Sequence, residues 1–441
     1  MNEKGRRHKN ADKATGTKLT FPGHVSSAGG ICSTCIRDGL CEIGKRCRTG
    51  QTLFPEPFGI SQFGAEKYLP NMDDVQILPE LYGKSVNFHE VEVSKILGGF
   101  RVSSPIVVAG MGSTKVASDL WKPLSEGAAR AGIPLVLGEN IFSTFGEKAV
   151  EERIKTYLKH YDGKHGAVIV QGNGIEIKAG IFELAKKFGA HGIEIKLGQG
   201  AKQNLGGEIK FQGADLAKKY RAMGYHVFEN ADGSYQRHSP VYSLSFASLK
   251  EVVFEAEKAG LPIWVKVAVG AGIINLLDDL KKLAERFNAP IKAITIDGHG
   301  GGTGMSPWLI MNETSLPSAV VFSAIKKKYP FDIILAGGYT DGVDISKALM
   351  LGAKGVAMGR SFIIAANAEK HPEAIQGKME VDSGKGLENY VKALEQEISM
   401  VCAVQRVDNV SELKDKKKNL FALSEIAGNM FGINFDAKRV L

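Results

Sequence analysis

The chain has 441 residues, of which 44% are hydrophobic and 24% are charged, a balance typical of globular proteins. Its 56 Lys and Arg residues exceed its 48 Asp and Glu residues, which gives a net charge of +8. No apolar run approaches the ~18 residues of a membrane span, and no apolar stretch follows the basic N-terminus as in a secretory signal. Because no RNA-binding or zinc-finger motif accompanies the positive charge, we expect a cytoplasmic protein without membrane or nucleic-acid partners.

Four of the five cysteines lie close together near the N-terminus, at Cys32, Cys35, Cys41 and Cys47. A disulfide framework does not suit a chain of this size without an export signal. Four thiolates at short spacing predict a metal site, either a [4Fe–4S] cluster or Zn²⁺. We favour the iron–sulfur cluster, a preference that depends on a redox role for the rest of the chain. The fifth cysteine, Cys402, lies in a helical pattern and is expected to be buried.

Eight short apolar runs alternate with amphipathic stretches from about residue 95 onwards. Runs of Val, Ile and Leu without alternation are typical of strands that are buried on both faces of a parallel sheet. Eight such units predict a (β/α)8 TIM barrel. A doubly wound open sheet is the alternative, but no GxGxxG sequence follows the first strand. The predicted strands are Pro105–Ala109, Pro134–Leu137, Ala167–Val170, Gly192–Leu197, Pro262–Val267, Ala293–Ile296, Asp332–Leu335 and Gly355–Met358.

Three regions follow from this pattern. Residues 1–94 form an N-terminal extension with the cysteine cluster, residues 95–371 form the barrel, and residues 372–441 form a helical extension that packs on the barrel. The long segment 198–246, which follows the fourth predicted strand, is expected at the rim that carries barrel active sites. The predicted helices are Lys115–Ala131, Gly174–Phe188, Asp215–Met223, Ala247–Ala259, Ile273–Phe287, Pro317–Lys328, Asp344–Leu351, Leu387–Val404 and Ala422–Phe431.

Glycines and basic residues follow the last four predicted strands. Glycine clusters come after the sixth and seventh strands, and Gly359 and Arg360 come after the eighth. Backbone N–H groups in such turns, and at helix N-termini, bind phosphate. Lys266 ends the fifth strand inside an apolar run, so we expect it to face the rim and to stabilise negative charge on a reduced flavin ring or a substrate carboxylate. Lys196 has the equivalent place on the fourth strand.

Three segments resemble the FMN-binding synthase domain of glutamate synthases: KLGQGAKQNLGG at 196–207, DGHGGGTGMSP at 297–307 and LAGGYTDGVDISKALMLGAKGVAMG at 335–359. The resemblance covers about residues 95–435. It implies a barrel with FMN that reduces the imine of 2-oxoglutarate and ammonia to L-glutamate. Carried over by position, it places Met111, Gly112, Ser113, Gln171, Lys266, His299, Gly301, Gly302, Thr303, Gly337, Gly338, Gly359 and Arg360 around FMN, and Glu139, Lys196, Gln199 and Lys202 near the substrate.

The sequence departs from the family in three respects. Gly300 stands where the family motif GHDGGTG has Asp. The cysteines that bind an iron–sulfur cluster after the last barrel strand are missing from residues 360–372. Met1 is followed by Asn2 rather than by the cysteine that begins the family's glutaminase domain, so we expect this chain to lack that domain. The expectation is that the N-terminal cysteines receive the electrons, and that ammonia comes from solution or from a separate glutaminase subunit.

These observations give one main hypothesis and three alternatives. In the main hypothesis, ferredoxin or a reductase subunit sends electrons through the cysteine cluster to FMN in an oligomeric enzyme, and a keto acid and an amine donor yield L-glutamate or a related amino acid. One alternative is another FMN-barrel reaction, such as 2-hydroxy-acid oxidation or isopentenyl diphosphate isomerisation. The oxidases need a His–Arg pair near the sixth strand, whereas glycines follow His299. The others are a flavin-binding electron-relay subunit and a zinc-stabilised scaffold without flavin.

Overall fold

A closed barrel of eight parallel strands forms the centre of the protein. The structure is a computed structural model, and it describes residues 69–113, 115–200, 208–231, 233–238, 244–299, 314–367 and 384–439. The predicted (β/α)8 fold is confirmed, and every barrel strand begins and ends within two residues of its predicted bounds. The barrel strands are β4 (Ile106–Met111), β5 (Leu135–Leu137), β6 (Val168–Gly172), β7 (Gly192–Lys196), β11 (Ile263–Ala268), β12 (Ile291–Asp297), β13 (Asp332–Ala336) and β14 (Gly355–Met358).

Helices cover the outside of the barrel, and the apolar residues between helices and strands form the main core. Helix α1 (Lys115–Arg130) follows β4, and the sequence did not lead us to predict the helix pair that follows β5. The helices Phe246–Glu257, Ile273–Arg286 and Gly342–Leu351 agree with prediction in most positions, whereas the helix that follows β14 was not predicted. The helices after α1 are α2 (Ile141–Phe145), α3 (Glu147–His160), α4 (Gly174–Lys178), α5 (Ile181–Lys187), α7 (Phe246–Glu257), α8 (Ile273–Arg286), α9 (Val321–Ala324), α10 (Gly342–Leu351) and α11 (Arg360–Asn367).

Two predicted helices differ from the structure for local reasons. The predicted helix 174–188 is broken at Gly180, which adopts a left-handed conformation with φ +86° and separates α4 from α5. The predicted helix 317–328 is reduced to a 3₁₀ turn and the four-residue helix α9. Beyond it, Lys327 forms an ion pair of 2.7 Å with Asp278 of α8, and Tyr329 donates a hydrogen bond to the same carboxylate. These tertiary contacts override the helical pattern of the sequence.

A β-hairpin closes the N-terminal end of the barrel. Strands β2 (Lys95–Leu97) and β3 (Phe100–Val102) pair in antiparallel fashion around a Gly98–Gly99 turn. The fully buried Trp264 of β11 donates its indole N–H to the Gly98 carbonyl at 3.0 Å. Since Leu97, Val102 and Trp264 belong to the apolar cluster inside the barrel, this end is filled by side chains.

The two ends of the described chain pack against each other. Strand β1 (Val75–Ile77) pairs with β15 (Leu420–Ala422) in antiparallel fashion, near helix α13 (Glu425–Phe431). The long helix α12 (Lys385–Val404) lies on α1, α10 and α11. Cys402 in α12 is fully buried and free, as expected, and burial raises the pKa of its thiol to about 12.

The segment after β7 forms a small folded unit where the sequence indicated only one helix. Strands β8 (Glu208–Phe211), β9 (His226–Glu229) and β10 (Tyr235–His238) make an antiparallel sheet in the order β8-β10-β9. Helix α6 (Ala214–Ala222) packs on it and matches the predicted helix. We call these described residues, 208–231 and 233–238, the insertion unit. Aromatic side chains pack within it, because the ring of Phe211 contacts those of Tyr220 and Tyr235.

No helix in the described part of the chain combines the length and the apolar character that crossing a lipid bilayer requires.

Candidate active site

The interior of the barrel changes from apolar to charged along the strands. Strand residues two positions apart face the same side, so Trp264 and Lys266 both point into the barrel. Towards the N-terminal end the interior contains Val107, Val136, Ile169 and Trp264. Towards the C-terminal end it contains Gln171, Glu194, Lys196, Lys266, Thr295 and Asp297, all buried. The charged layer therefore lies at the rim where barrel enzymes carry their active sites.

Lys266 and Asp297 form a buried ion pair at the ends of neighbouring strands. Nζ of Lys266 lies 3.0 Å from Oδ2 of Asp297, and the two residues are only 4% and 3% exposed. Burial lowers the pKa of Lys266, but the carboxylates of Asp297 and Glu194 more than offset this, and the pKa lies above the ordinary lysine value. Lys266 is therefore a fixed positive charge inside the rim, as predicted from its place in an apolar run.

Glu194 lies beneath this pair and was not predicted as a site residue. Its carboxylate accepts a hydrogen bond from the amide of Gln171 and another, of 2.9 Å, from the hydroxyl of Thr295. Burial raises the pKa of Glu194, although the nearby Lys266 opposes the shift. The acceptor on Glu194 fixes the amide orientation of Gln171, whose oxygen accepts the backbone N–H of Glu139 at 3.3 Å. Gln171 thus connects the buried carboxylate to the rim.

Three of the four residues predicted near the substrate lie together. Nζ of Lys196 donates to the side-chain oxygen of Gln199 at 3.0 Å and lies 3.5 Å from Oε2 of Glu139. Burial, together with the positive charge of Lys266, lowers the pKa of Lys196, and Glu139 opposes the shift. An anionic ligand beside Lys196 would therefore be favoured, because it would compensate for the cost of burying this charge. Lys202 lies outside the described residues.

Glycines let the ends of β4 and β5 approach closely. A Cβ on Gly112 would lie 2.1 Å from the Glu139 carbonyl oxygen, and one on Gly138 would lie 2.4 Å from the Met111 carbonyl carbon. The side chain of Met111 packs on the core outside the barrel, so its predicted contribution to the site would come from its main chain. Ser113, which follows Gly112, is partly exposed.

The predicted phosphate-binding residues lie at the ends of β13 and β14. Gly337 and Gly338 both have positive φ values, of 107° and 86°, which glycine adopts without strain. Gly359 faces open space, since a Cβ there would meet nothing nearer than the Ala109 Cβ at 4.0 Å. Arg360 is the first residue of α11, and burial lowers the pKa of its guanidinium to about 10. Small residues, helix N–H groups and a guanidinium are thus combined at one place.

His299 lies at the end of β12, where its backbone N–H bonds the Leu316 carbonyl at 2.8 Å and its Nδ1 lies 2.9 Å from the Thr314 carbonyl. The ring is held by the chain that leads to α9 and is almost fully buried.

The predicted residues Gly301, Gly302 and Thr303 lie outside the described residues. So do the four predicted metal ligands Cys32, Cys35, Cys41 and Cys47. Within the described ranges, no group of three or more His, Cys, Asp or Glu side chains could hold a metal ion.

A second buried polar cluster adjoins the rim behind Glu139. Asn140 adopts a left-handed conformation with φ 69°, and its backbone N–H donates to Oε2 of Glu176 at 2.8 Å. Its side-chain oxygen accepts hydrogen bonds from Asn173 and from the hydroxyl of Tyr225 in the insertion unit, both of 3.1 Å. Burial raises the pKa of Glu176 to about 7. Tyr225 lies in the long segment after the fourth strand, whose folding into a compact unit the local sequence pattern did not indicate.

The comparisons with known proteins agree with this architecture. Residues 65–408 match the family model described as the conserved region in glutamate synthase. The chain is 24% identical over 308 residues to an archaeal glutamate synthase [NADPH] of Archaeoglobus fulgidus, covering 68% of this chain and 52% of that protein. It is 22% identical over 369 residues to the corresponding protein of Methanocaldococcus jannaschii, covering 77% and 66%. The chain thus spans less than two thirds of the length of either relative.

The solved structures that resemble the chain share its fold. The recombinant flavin-binding domain of baker's yeast flavocytochrome b2 superposes with a TM-score of 0.59 at 16% identity, covering 100% of this chain and 96% of that one. A mandelate oxidase with bound (S)-2-phenylpropionate superposes with a TM-score of 0.52 at 15% identity, covering 84% and 96%. These identities establish a common barrel only. The match to the family model extends over most of the sequence, and the chain therefore belongs to the glutamate synthase family, as the motifs at 196–207, 297–307 and 335–359 indicated.

Proposed function

We propose that this protein is an FMN-dependent oxidoreductase that reduces the imine of a 2-oxoglutarate-like keto acid to L-glutamate or a related amino acid. The observation that carries the proposal is the charged layer at the rim, where the buried ammonium groups of Lys266 and Lys196 lie among the carboxylates of Glu139, Glu194 and Asp297. Buried lysines at the mouth of a barrel suit a flat, electron-accepting ring and an acidic substrate.

The residues at the rim fit FMN in shape and in charge. The open space at Gly359 is a cradle that a Cβ would fill, and the N-terminus of α11 with Arg360 provides donors for a phosphate. The positive-φ turn at Gly337 and Gly338 presents backbone rather than side chains. Bound FMN would supply hydride for the reduction. Lys266, which remains protonated, would balance the negative charge that accompanies reduction.

The chain's own residues would then bind and orient the acid. Lys196 is held between Gln199 and Glu139, and it would bind a substrate carboxylate together with Lys202. Glu139 lies within reach of the same ammonium group and would hold or deliver a proton at the substrate nitrogen. The segment after β7 would exclude water from this part of the rim.

The N-terminal cysteines remain the proposed metal ligands on the basis of their spacing. Cys32, Cys35, Cys41 and Cys47 would hold a [4Fe–4S] cluster, which provides one-electron transfer, or Zn²⁺, which provides structure only. Iron and acid-labile sulfide analysis of anaerobically purified protein distinguishes the two. About four iron atoms and four sulfides per chain support the cluster, and stoichiometric zinc without sulfide contradicts it. The same proposal includes a ferredoxin or reductase subunit as the electron donor, a separate glutaminase subunit and an oligomeric enzyme.

A product assay tests the reaction. FMN-loaded protein is supplied with a chemical reductant, 2-oxoglutarate and either ammonia or methylamine, and the amino-acid products are identified. Formation of glutamate or N-methylglutamate supports the proposal and names the amine donor. Flavin binding and reduction without any amino acid would instead indicate an electron-relay subunit, and oxidation of a 2-hydroxy acid would indicate the chemistry of another FMN barrel. Purified protein that neither contains nor binds flavin would favour the zinc scaffold.

A further inference from the structure

Glu176 is a buried carboxylate whose two oxygens both bind the turn that follows β5. Its Oε2 accepts the backbone N–H of Asn140 at 2.8 Å, and its Oε1 accepts that of Ser143 at 3.1 Å. The residue is only 1% exposed, and Leu137 and Ile141 line the same small internal space. A buried carboxylate is costly to the folded state unless it is hydrogen-bonded, and here one turn supplies donors to both oxygens.

The turn contains an unusual backbone conformation at Asn140. The residue has φ 69°, in the left-handed region that is uncommon for residues other than glycine. Three contacts hold it there: Glu176 binds its backbone N–H, and Asn173 and Tyr225 donate to its side-chain oxygen, both at 3.1 Å. Such conformations cluster at active sites, where the surrounding contacts maintain them, and Asn140 directly follows Glu139.

The main chain of Glu139 is held on both sides of its side chain. Its own N–H donates to the side-chain oxygen of Gln171 at 3.3 Å, and the next N–H, that of Asn140, donates to Glu176. From this fixed main chain the carboxylate reaches a point 3.5 Å from Nζ of Lys196. Glu176 therefore contributes to the position of Glu139 relative to Lys196, and it does so through the main chain.

Glu176 also acts on Glu139 by its charge. Burial is the largest cause of the raised pKa of Glu176, and the negative charge of Glu139 adds to it. The repulsion between two carboxylates is mutual, since it belongs to the pair. An ionised Glu176 therefore makes it harder for Glu139 to lose its proton.

The other titratable side chains of this cluster belong to different elements. Burial raises the pKa of Tyr225 to about 12, so its hydroxyl stays neutral. Arg237 of β10 donates to the α2 hydroxyl of Ser143 at 3.4 Å, and an arginine stays protonated. Lys196 of β7 lies beyond Glu139. Charge changes near pH 7 therefore chiefly concern the two carboxyls and Lys196.

We propose that Glu176 is a positioning residue: through the turn at Asn140 it holds Glu139 beside Lys196, and it helps Glu139 to keep the proton that the substrate nitrogen receives. Glu176 itself contacts neither substrate nor flavin in this proposal. The inference rests on the proposed function, since it takes Glu139 as the proton donor at the rim.

The pH dependence of turnover by the FMN-loaded full chain tests the proposal. The assay contains a chemical reductant, 2-oxoglutarate and whichever of ammonia and methylamine wild type accepts. Wild-type turnover should fall at high pH as Glu139 loses its proton. Glu176→Gln removes the neighbouring negative charge, so the fall should occur about 0.5–1 pH unit lower. Its kcat should be about 10- to 100-fold lower because the carboxylate of Glu139 is displaced, while KM for 2-oxoglutarate should change less than about threefold because Lys196 remains.

Glu176→Asp separates position from charge. It keeps the carboxylate but shortens the side chain by one methylene, so it cannot bind Asn140 and Ser143 together. Its kcat should be about tenfold lower than that of wild type, and its pH profile should stay within about 0.3 pH unit of wild type. This variant also covers the case that Glu176→Gln does not fold, because wild-type kcat in folded Glu176→Asp would overturn the proposal.

Hydrogen exchange gives a readout that is independent of the reaction. The amides of residues 138–145 should exchange about tenfold faster in Glu176→Gln than in wild type, because Asn140 and Ser143 lose the carboxylate that binds both. Glu395→Gln is the matched control. Burial raises the pKa of Glu395 to about 7 as well, but the residue lies on α12, outside the barrel. This variant should keep the wild-type exchange at 138–145, kcat and pH profile.

The outcomes separate the two proposals. If wild type forms the amino acid and Glu176→Gln has the wild-type pH profile, the role of Glu176 is wrong while the proposed function stands. Unchanged exchange at residues 138–145 would show that Glu176 does not hold this turn, and it would overturn the role too. If wild type forms no amino acid, the proposed function is contradicted and the inference falls with it.

Discussion

Lys266 and Asp297 face each other across neighbouring strands, with 3.0 Å between the ammonium nitrogen and a carboxylate oxygen, at the level where the barrel interior turns from apolar to charged. The pair lies two residues beyond Trp264 on one strand and two beyond Thr295 on the other. Its position fixes a positive charge where the proposed cofactor and substrate would meet.

Replacing Lys266 should affect both stability and flavin binding. Lys266→Met leaves the Asp297 and Glu194 carboxylates without their cation, and it should lower the free energy of unfolding by about 3–5 kcal/mol. FMN affinity, measured by fluorescence titration, should fall about 10- to 100-fold because a charge-assisted contact is lost. Lys266→Arg keeps the charge and should retain most of the affinity. Lys187→Met, which removes an exposed lysine, is the control. Wild-type flavin affinity in Lys266→Met would refute the role.

Two glycine substitutions should separate folding from flavin binding. Gly112→Ala places a Cβ 2.1 Å from the Glu139 carbonyl oxygen, so the strand ends must move apart, and the unfolding midpoint should fall. Gly359→Ala meets open space and should leave stability within about 0.5 kcal/mol of wild type, yet weaken FMN binding by filling the cradle. If Gly359→Ala binds FMN as tightly as wild type does, Gly359 does not line the phosphate site.

The eight strands and the rim could be predicted because each depends on local sequence. The run Ile263–Val267 is apolar except for Lys266, and this combination alone indicated a buried strand with a lysine at its end. Glu194 was missed because a single glutamate within a strand reads as a solvated residue, and only closure of the barrel shows that it faces Gln171 and Thr295. Whether such a residue is buried depends on its packing against distant strands, and spacing along the chain does not reveal that packing.

Helix α6 of the insertion unit was predicted, but its three strands were not, for the same reason. Strand β10 has the sequence YQRH, which carries no apolar alternation, and its buried arginine packs on the rings of Tyr220 and Tyr225. The pairing of β1 with β15 joins residues more than 300 positions apart, and two three-residue strands give no periodicity that a local reading could detect. The division of the chain into regions 1–94, 95–371 and 372–441 stays a prediction.

Stability should fall as the pH rises from 5 to 8. Burial raises the pKa values of Glu176, Glu395 and Glu397 to about 7 each, above the ordinary value of 4.5. A carboxyl with a raised pKa holds its proton in the folded state and has lost it in the unfolded state, so the folded state is favoured at the lower pH. Urea unfolding at pH 5, 6, 7 and 8 measures this dependence.

Glu176→Gln provides the matched variant for the pH dependence. The substitution removes one of these three carboxyl groups. The free energy of unfolding should therefore decrease less between pH 5 and 8 than in wild type, by up to about 3 kcal/mol. Because Glu176 accepts the backbone N–H groups of both Asn140 and Ser143, the variant should also be less stable than wild type at pH 5. An unchanged pH dependence in Glu176→Gln would show that this carboxyl titrates normally.

The stability of the closed end of the barrel should depend on Trp264. Trp264→Phe removes the donor to the Gly98 carbonyl and part of the ring that fills the interior, which should cost about 2–4 kcal/mol of unfolding free energy. Leu81→Ala, at a side chain that is 75% exposed, should cost less than about 0.5 kcal/mol. Equal midpoints of urea unfolding for Trp264→Phe and wild type would contradict the role of this contact.

The most direct test of the central claim is a titration of flavin-free, folded protein with FMN, followed by absorption and flavin fluorescence. The account predicts saturation at one FMN per chain, with a shifted flavin spectrum and with binding weakened in both Lys266→Met and Gly359→Ala. Folded protein that leaves the FMN spectrum and fluorescence unchanged at all ratios would contradict the account.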